Sequence, residues 1–159
     1  MCLRHCLSLI VVFCLAACNL QNLQLATPAP DPVNIIEVQK RANEAYEKED
    51  WKTAETEYQY LTQQTKGEAE PWFRLGNIYA RTDRLDAAVT AYREALVRDS
   101  KNSKTWHNLG IVQLRQATNT FIEMLQYTKD DDPLNKRAQY VVNTVSDLMA
   151  SGFESSTTE

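Results

Sequence analysis

Apolar positions fall into three regimes along the chain. From Leu7 to Ala17 (LSLIVVFCLAA) they run almost without interruption and end in small residues. From Asn19 to Asn34 (NLQNLQLATPAPDPVN) that run breaks, and Pro28, Pro30 and Pro32 stand at alternate positions. Beyond Ile35, apolar and small residues recur at the three- and four-residue spacings of amphipathic helices. At about 1.5 Å per residue the first regime spans roughly 16 Å of helix, half of a ~30 Å hydrocarbon core, so a permanent transmembrane helix is not expected. The second cannot continue a helix and predicts an extended, solvated tether reaching roughly 20 to 50 Å. The third predicts an all-α fold.

Within the helical part, the chain repeats itself. Trp72, Leu75 and Gly76 recur as Trp106, Leu109 and Gly110, each 34 residues later, and Ala88 and Tyr92 are preceded by Ala54 and Tyr58 at the same interval. Antiparallel helices pack closely only where small residues face each other. Gly76 set against Ala88 and Ala95 therefore predicts a short interaxial distance, with Trp72, Leu75, Tyr79 and Tyr92 filling the space around it as core. Trp106, Leu109 and Gly110 are expected to repeat that arrangement.

The segment from Trp72 to Ala95 resembles a tetratricopeptide repeat (TPR), with Ser100 where the family has its usual proline. The resemblance implies an α-solenoid of helix hairpins with repeats at 35–68, 69–102 and 103–136 and a C-terminal closing helix. The first repeat keeps Ala42, Ala54 and Tyr58 but has Val38 and Arg41 for the family's tryptophan and leucine. The third diverges after Gly110, with Ile122, Gln126 and Lys129 where the second helix has its small and aromatic positions. Ile111, Leu114, Phe121, Leu125 and Thr128 share one helical stripe, and no Gly or Pro interrupts 111–132. This favours one long helix from about 105 to 129 over a hairpin, although the weak helix formers Thr118, Asn119 and Thr120 weigh the other way. Asp132-Pro133 then reads as a helix start, N-cap followed by proline. A closing helix over 134–152 carries Leu134, Ala138, Val141, Val142, Val145, Leu148 and Met149 and stops at Gly152, leaving 153–159 as a flexible tail.

Cysteine placement bears on the N-terminus. Cys2, Cys6, Cys14 and Cys18 are the only cysteines, which excludes a disulfide framework in the helical part. Arg4, the apolar run and the small residues after it have the organisation of a signal peptide over 1–17. Leu15-Ala16-Ala17-Cys18 resembles the lipobox of bacterial lipoproteins, which implies cleavage before Cys18 and acylation of that residue. The alternative is an ordinary secretory signal. Several acyl chains on one residue give stable anchoring, and 18–34 would be the lipidated cysteine and its proline-rich tether. Asn19, rather than the aspartate that retains lipoproteins at the inner membrane of enteric bacteria, implies an outer-membrane lipoprotein facing the periplasm.

Charge and chemistry narrow the function. The net charge of -4, from 17 basic and 21 acidic residues, comes with no basic stripe that could neutralise a phosphate backbone, so nucleic acid is not an expected partner. Beyond residue 17, the chain offers one histidine, His107, and one cysteine. No metal-ligand cluster, phosphate loop or nucleophile motif accompanies them, so neither enzymatic activity nor a cofactor is expected.

The TPR resemblance instead implies a groove, lined by the first helix of each hairpin, that binds extended peptides or helices. The matching positions are Gln39, Asn43 and Tyr46, then Phe73, Asn77, Ala80 and Arg81, then Lys104, His107 and Ile111. Asn43 and Asn77 hold the same repeat position, from which their amides are expected to bond a bound backbone. Of the carboxylate clamp found in some TPR domains, only Asn43 and Lys104 match, with Gln39 and Asn108 where the family has Lys and Arg. The expected function is a membrane-anchored adaptor or scaffold holding another envelope protein in a pilus, secretion or cell-wall assembly. The alternative is a self-associating structural lipoprotein, a homo-oligomer.

Overall fold

The computed structural model describes residues 34–150. The expected signal peptide, the lipobox Leu15, Ala16 and Ala17, the acylated Cys18 and the tail 153–159 lie outside the described residues. Among the described residues six helices follow one another: α1 (Ile35–Glu47), α2 (Trp51–Gln64), α3 (Glu70–Arg81), α4 (Leu85–Arg98), α5 (Ser103–Leu125) and α6 (Pro133–Leu148). Successive helices pack on each other, as sequential hairpins consistent with a TPR array.

Local chemistry sets most of the helix starts. The side chains of Asn34, Asp50, Asn102 and Asp132 accept from the backbone N–H of Ile36, Thr53, Thr105 and Leu134, at 3.0, 3.2, 3.0 and 2.8 Å. α3 and α6 carry a proline at their first positions, where a missing N–H costs nothing. Each of the first two hairpins turns through a residue in the left-handed region, Glu49 at φ 57° and Asp83 at φ 58°, 34 positions apart.

The buried faces form two continuous clusters. Val38, Ala42, Ala54, Tyr58, Leu61, Leu75, Ile78 and Ala91 join α1 to α4. Ala88, Tyr92, Leu96, Leu109 and Val112 join α4 to α5, with Phe73 and Tyr79 packed against them. Trp72 and Tyr79 sit half-buried at the edge of the first cluster. At Gly76 the close approach is to the ring of Tyr92, which a methyl group would overlap. Ala88 and Ala95 are fully buried, yet the phenol ring, not either alanine, occupies the space that the missing side chain leaves.

The third repeat departs from the other two. Its position equivalent to Glu49 and Asp83 is Ala117, a strong helix former that does not turn the chain, so α5 continues for 23 residues, about 34 Å. The long helix expected over 105–129 is therefore present, two residues earlier at its start and four shorter at its end. α6 returns from Pro133 along α5, and Asn135 Nδ2 donates to Thr128 Oγ1, in the connection between the two helices, at 2.9 Å. The α-helical span of α6 runs to Leu148, a wider π turn follows at Met149 and Ala150, and the expected stop at Gly152 lies outside the described residues.

As a result, the N-terminal half of α5 lacks the covering that α4 gives α3, and two expected core positions lie at the surface. Trp106 is 55% exposed, with its indole N–H donating to the Ser100 carbonyl at 2.9 Å. A methyl built on Gly110 meets nothing within 4 Å. Both keep the sequence pattern of the repeat but not its partner helix, whereas Leu109 faces α4 and is buried.

Candidate functional site

The groove positions come from α1, α3 and α5, which direct side-chain contacts join in pairs. The Arg74 guanidinium lies 4.8 Å from the centroid of the Tyr46 ring, linking α3 to α1. Asn108 Nδ2 donates to Asn77 Oδ1 at 2.9 Å, linking α5 to α3. Arg74 is itself held by Glu70 one turn earlier, at 2.6 Å. Tyr46 meets Trp51 edge-on, with centroids 5.5 Å apart, and Arg81 stacks over Trp51 at 5.5 Å while lying 3.9 Å from the Glu49 carboxylate. Apolar rings flanked by guanidinium groups therefore make up much of this face.

The expected asparagine ladder is used differently. Asn77 is only 8% exposed, and its Oδ1 accepts from both Tyr92 Oη at 2.8 Å and Asn108 Nδ2. This corrects its assignment as an open groove residue: its acceptor satisfies a buried hydroxyl inside the fold. Asn43 is exposed, yet its Oδ1 likewise accepts from Tyr58 Oη at 2.7 Å and from Gln39 Nε2 at 2.9 Å. Each asparagine thus takes the hydroxyl of the tyrosine 15 residues later. Burial pushes the Tyr58 phenol up to about 12 and raises that of Tyr92 as well, so both remain protonated donors.

The remaining groove positions reach the surface to different extents. Arg81 and Lys104 are exposed, Phe73, Ala80 and His107 are half-buried, and Ile111 is buried. Phe73 packs tilted against Tyr92, centroids 6.1 Å apart. No single cluster gathers all of them. Tyr46, Arg74 and Arg81 form one group across α1 and α3, while Phe73, Asn77 and Asn108 form a second beside α5.

Several side chains that bind the hairpins together are absent from the motif. Arg84 forms a two-pronged pair with Glu55, at 2.9 and 2.7 Å, and stacks over Tyr79 at 4.6 Å. The hydrogen bond from Arg84 holds the Glu55 carboxyl below its ordinary range. Arg98 donates to the Lys66 carbonyl at 2.7 Å and lies over Trp72 at 5.0 Å. Arg115 donates to the Ala80 carbonyl at 3.1 Å and reaches Asp83 at 3.3 Å. A shallow cleft of about 230 Å³ opens beside Arg115, with Asp83, Thr118 and Asn119 on one side and Val145 and Met149 on the other. These arginines carry no motif signal, whereas the two asparagine–tyrosine pairs, 34 residues apart, were marked by the repeat register.

Among the described residues, no group of three His, Cys, Asp or Glu side chains is placed to hold a metal ion. No helix there is long and apolar enough to cross a membrane.

Helix hairpins repeating at 34 residues, with successive first helices sharing one face, define a helical-repeat protein built for protein contacts. Residues 69–102 match the family model of the tetratricopeptide repeat, so the chain carries a TPR over α3 and α4. It is also similar to the general transcriptional corepressor ssn6 of Schizosaccharomyces pombe, 30% identical over 86 residues. That match covers 50% of this chain and 8% of the relative. A TPR domain of this kind is a protein–protein interaction scaffold, usually non-catalytic, and implies protein partners.

Proposed function

We propose that this chain is a lipid-anchored adaptor that presents its TPR groove to another protein of a bacterial envelope assembly, of the pilus, secretion or cell-wall type. The reading of the anchor is supported by Leu15-Ala16-Ala17-Cys18 at the end of an apolar run and by the proline-rich stretch that follows. Asn19 supports an outer-membrane location facing the periplasm.

The observation that carries the adaptor reading is the set of side chains that α1, α3 and α5 hold at the groove positions: the half-buried rings of Tyr46 and Phe73 and the exposed cations Arg81 and Lys104. Such a set suits a helix or extended segment that offers apolar side chains to the rings and carboxylates to the cations. Asn77 contributes indirectly, by holding Tyr92 beneath Phe73.

The test is a pull-down from detergent-solubilised envelopes with three forms: wild type, Cys18→Ser, and Arg81→Glu with Lys104→Glu. The charge-reversal form leaves both cores intact and is expected to lose the partner, while Cys18→Ser should lose the membrane fraction but keep the partner. Full capture by the charge-reversed form would move the site off the groove.

A further inference from the structure

The outer face of the closing helix is unusual for the end of a solenoid, where a terminal element needs a polar outer surface. α6 turns Asn135, Ala138, Val142 and Val145 toward or near α5, with Asn135 and Ala138 fully covered. Beside that face runs a second apolar stripe at seven-residue spacing: Leu134, 52% exposed, Val141, half-buried, and Leu148, 40% exposed. Tyr140, 73% exposed, lies alongside. Seven residues are two helical turns, so the three aliphatic side chains lie along one line.

We propose that this stripe is a homodimer interface in which α6 packs antiparallel against α6 of a second copy, with the two-fold axis at Val141. The inference does not rest on the groove reading. Two observations select a second copy over another occupant. First, the stripe is symmetric about Val141, with Leu134 seven residues before it and Leu148 seven after. An isologous antiparallel pairing therefore sets Val141 against Val141 and each Leu134 against Leu148 of the other copy, leaving no position of the stripe unmatched. Second, the charge beside the stripe is lopsided, with Arg137 in the first half of α6 and Asp147 in its last. Antiparallel packing brings the cationic half of each helix beside the Asp147 end of the other, where the helix dipole is also negative. A parallel pair would stack like charge on like charge.

The register makes the proposal testable. Sedimentation equilibrium of the full chain in density-matched detergent, over roughly 1 to 200 μM, should give a monomer–dimer equilibrium. Val141→Arg places two cations on the axis and should leave monomer throughout. Leu134→Lys and Leu148→Glu should each weaken the dimer at least tenfold. Combined in one chain they should restore it, because residue 134 of each copy then faces residue 148 of the other with opposite charge. That recovery also rules out misfolding as the cause of the single losses. A wild type that stays monomeric, a Val141→Arg form that still dimerises, or a double variant no better than the singles would each overturn the proposal.

Discussion

The hydroxyl of Tyr92 donates to Asn77 Oδ1 at 2.8 Å, an oxygen that also accepts the amide of Asn108 at 2.9 Å, so one buried acceptor joins α3, α4 and α5. The equivalent pair 34 residues earlier, Tyr58 with Asn43, lies at a more exposed site and shares its acceptor with Gln39. Asn77→Ala strands a buried hydroxyl and removes the acceptor of a buried amide, a loss on the order of 2 to 3 kcal/mol. Asn43→Ala, with water at hand, should cost about 1 kcal/mol or less. Urea unfolding of the two variants checks the order, and equal losses would mean that the Asn77 network contributes no more than an exposed pair.

Alkaline pH probes the same hydroxyls. The Tyr58 phenol is pushed up to about 12 in the folded chain, from 10.0, and Tyr92 is raised in the same direction. Because folding holds both phenols neutral, their contribution is intact below pH 10 and is lost as pH rises through the folded values, once the unfolded chain can ionise them. The urea midpoint is expected to fall between pH 9.5 and pH 11.5, and to fall less in a Tyr58→Phe, Tyr92→Phe double variant. Identical slopes for the two proteins would assign the alkaline loss to other groups.

How much of this was legible in the sequence depends on whether a residue acts through its type or through its neighbour. The period of 34, the two hairpins and the cap at Asp132 follow from residue types at fixed spacing. The long α5 was legible too, because Ile111, Leu114, Phe121, Leu125 and Thr128 share one helical stripe that no Gly or Pro interrupts. Less legible was the consequence: once α5 runs on, α6 returns too far along it to cover Trp106 and Gly110. Motif positions alone kept those two residues in the core. The same limit applies at the groove, where an asparagine at a groove position says nothing about whether its carbonyl faces a ligand or a tyrosine. Arginines that stack on Tyr46, Trp51, Trp72 and Tyr79 carry no motif signal, since each contact depends on the angle between neighbouring helices.

Gly76 and Gly110 occupy one repeat position and should respond oppositely to one methyl group. At Gly76 the added carbon overlaps the Tyr92 ring, which is buried and bonded to Asn77 and so cannot swing aside. Overpacking there should cost about 1 to 3 kcal/mol. At Gly110 the methyl meets open space on the exposed face of α5, so Gly110→Ala should stabilise by about 0.5 to 1 kcal/mol through helix propensity alone. Thermal unfolding of the two alanine variants reads both signs. A destabilising Gly110→Ala would mean that this face of α5 is covered in solution.

The paired tryptophans extend that test to a large side chain. Trp72 is half-buried against the first core cluster and carries the Arg98 guanidinium on its ring, so Trp72→Ala removes both a packed surface and a cation–π contact. The loss should be on the order of 3 kcal/mol, a large share of the roughly 5 to 15 kcal/mol available to a small domain. Trp106 gives up one hydrogen bond, to the Ser100 carbonyl, and little packing, so Trp106→Ala should cost no more than about 1 kcal/mol. Fluorescence adds an independent reading: at 55% exposure, Trp106 should be readily quenched by iodide, and Trp106→Ala should remove the most accessible of the tryptophan signals. Comparable losses of stability from Trp72→Ala and Trp106→Ala, together with a Trp106 shielded from quencher, would place a helix over the N-terminal half of α5.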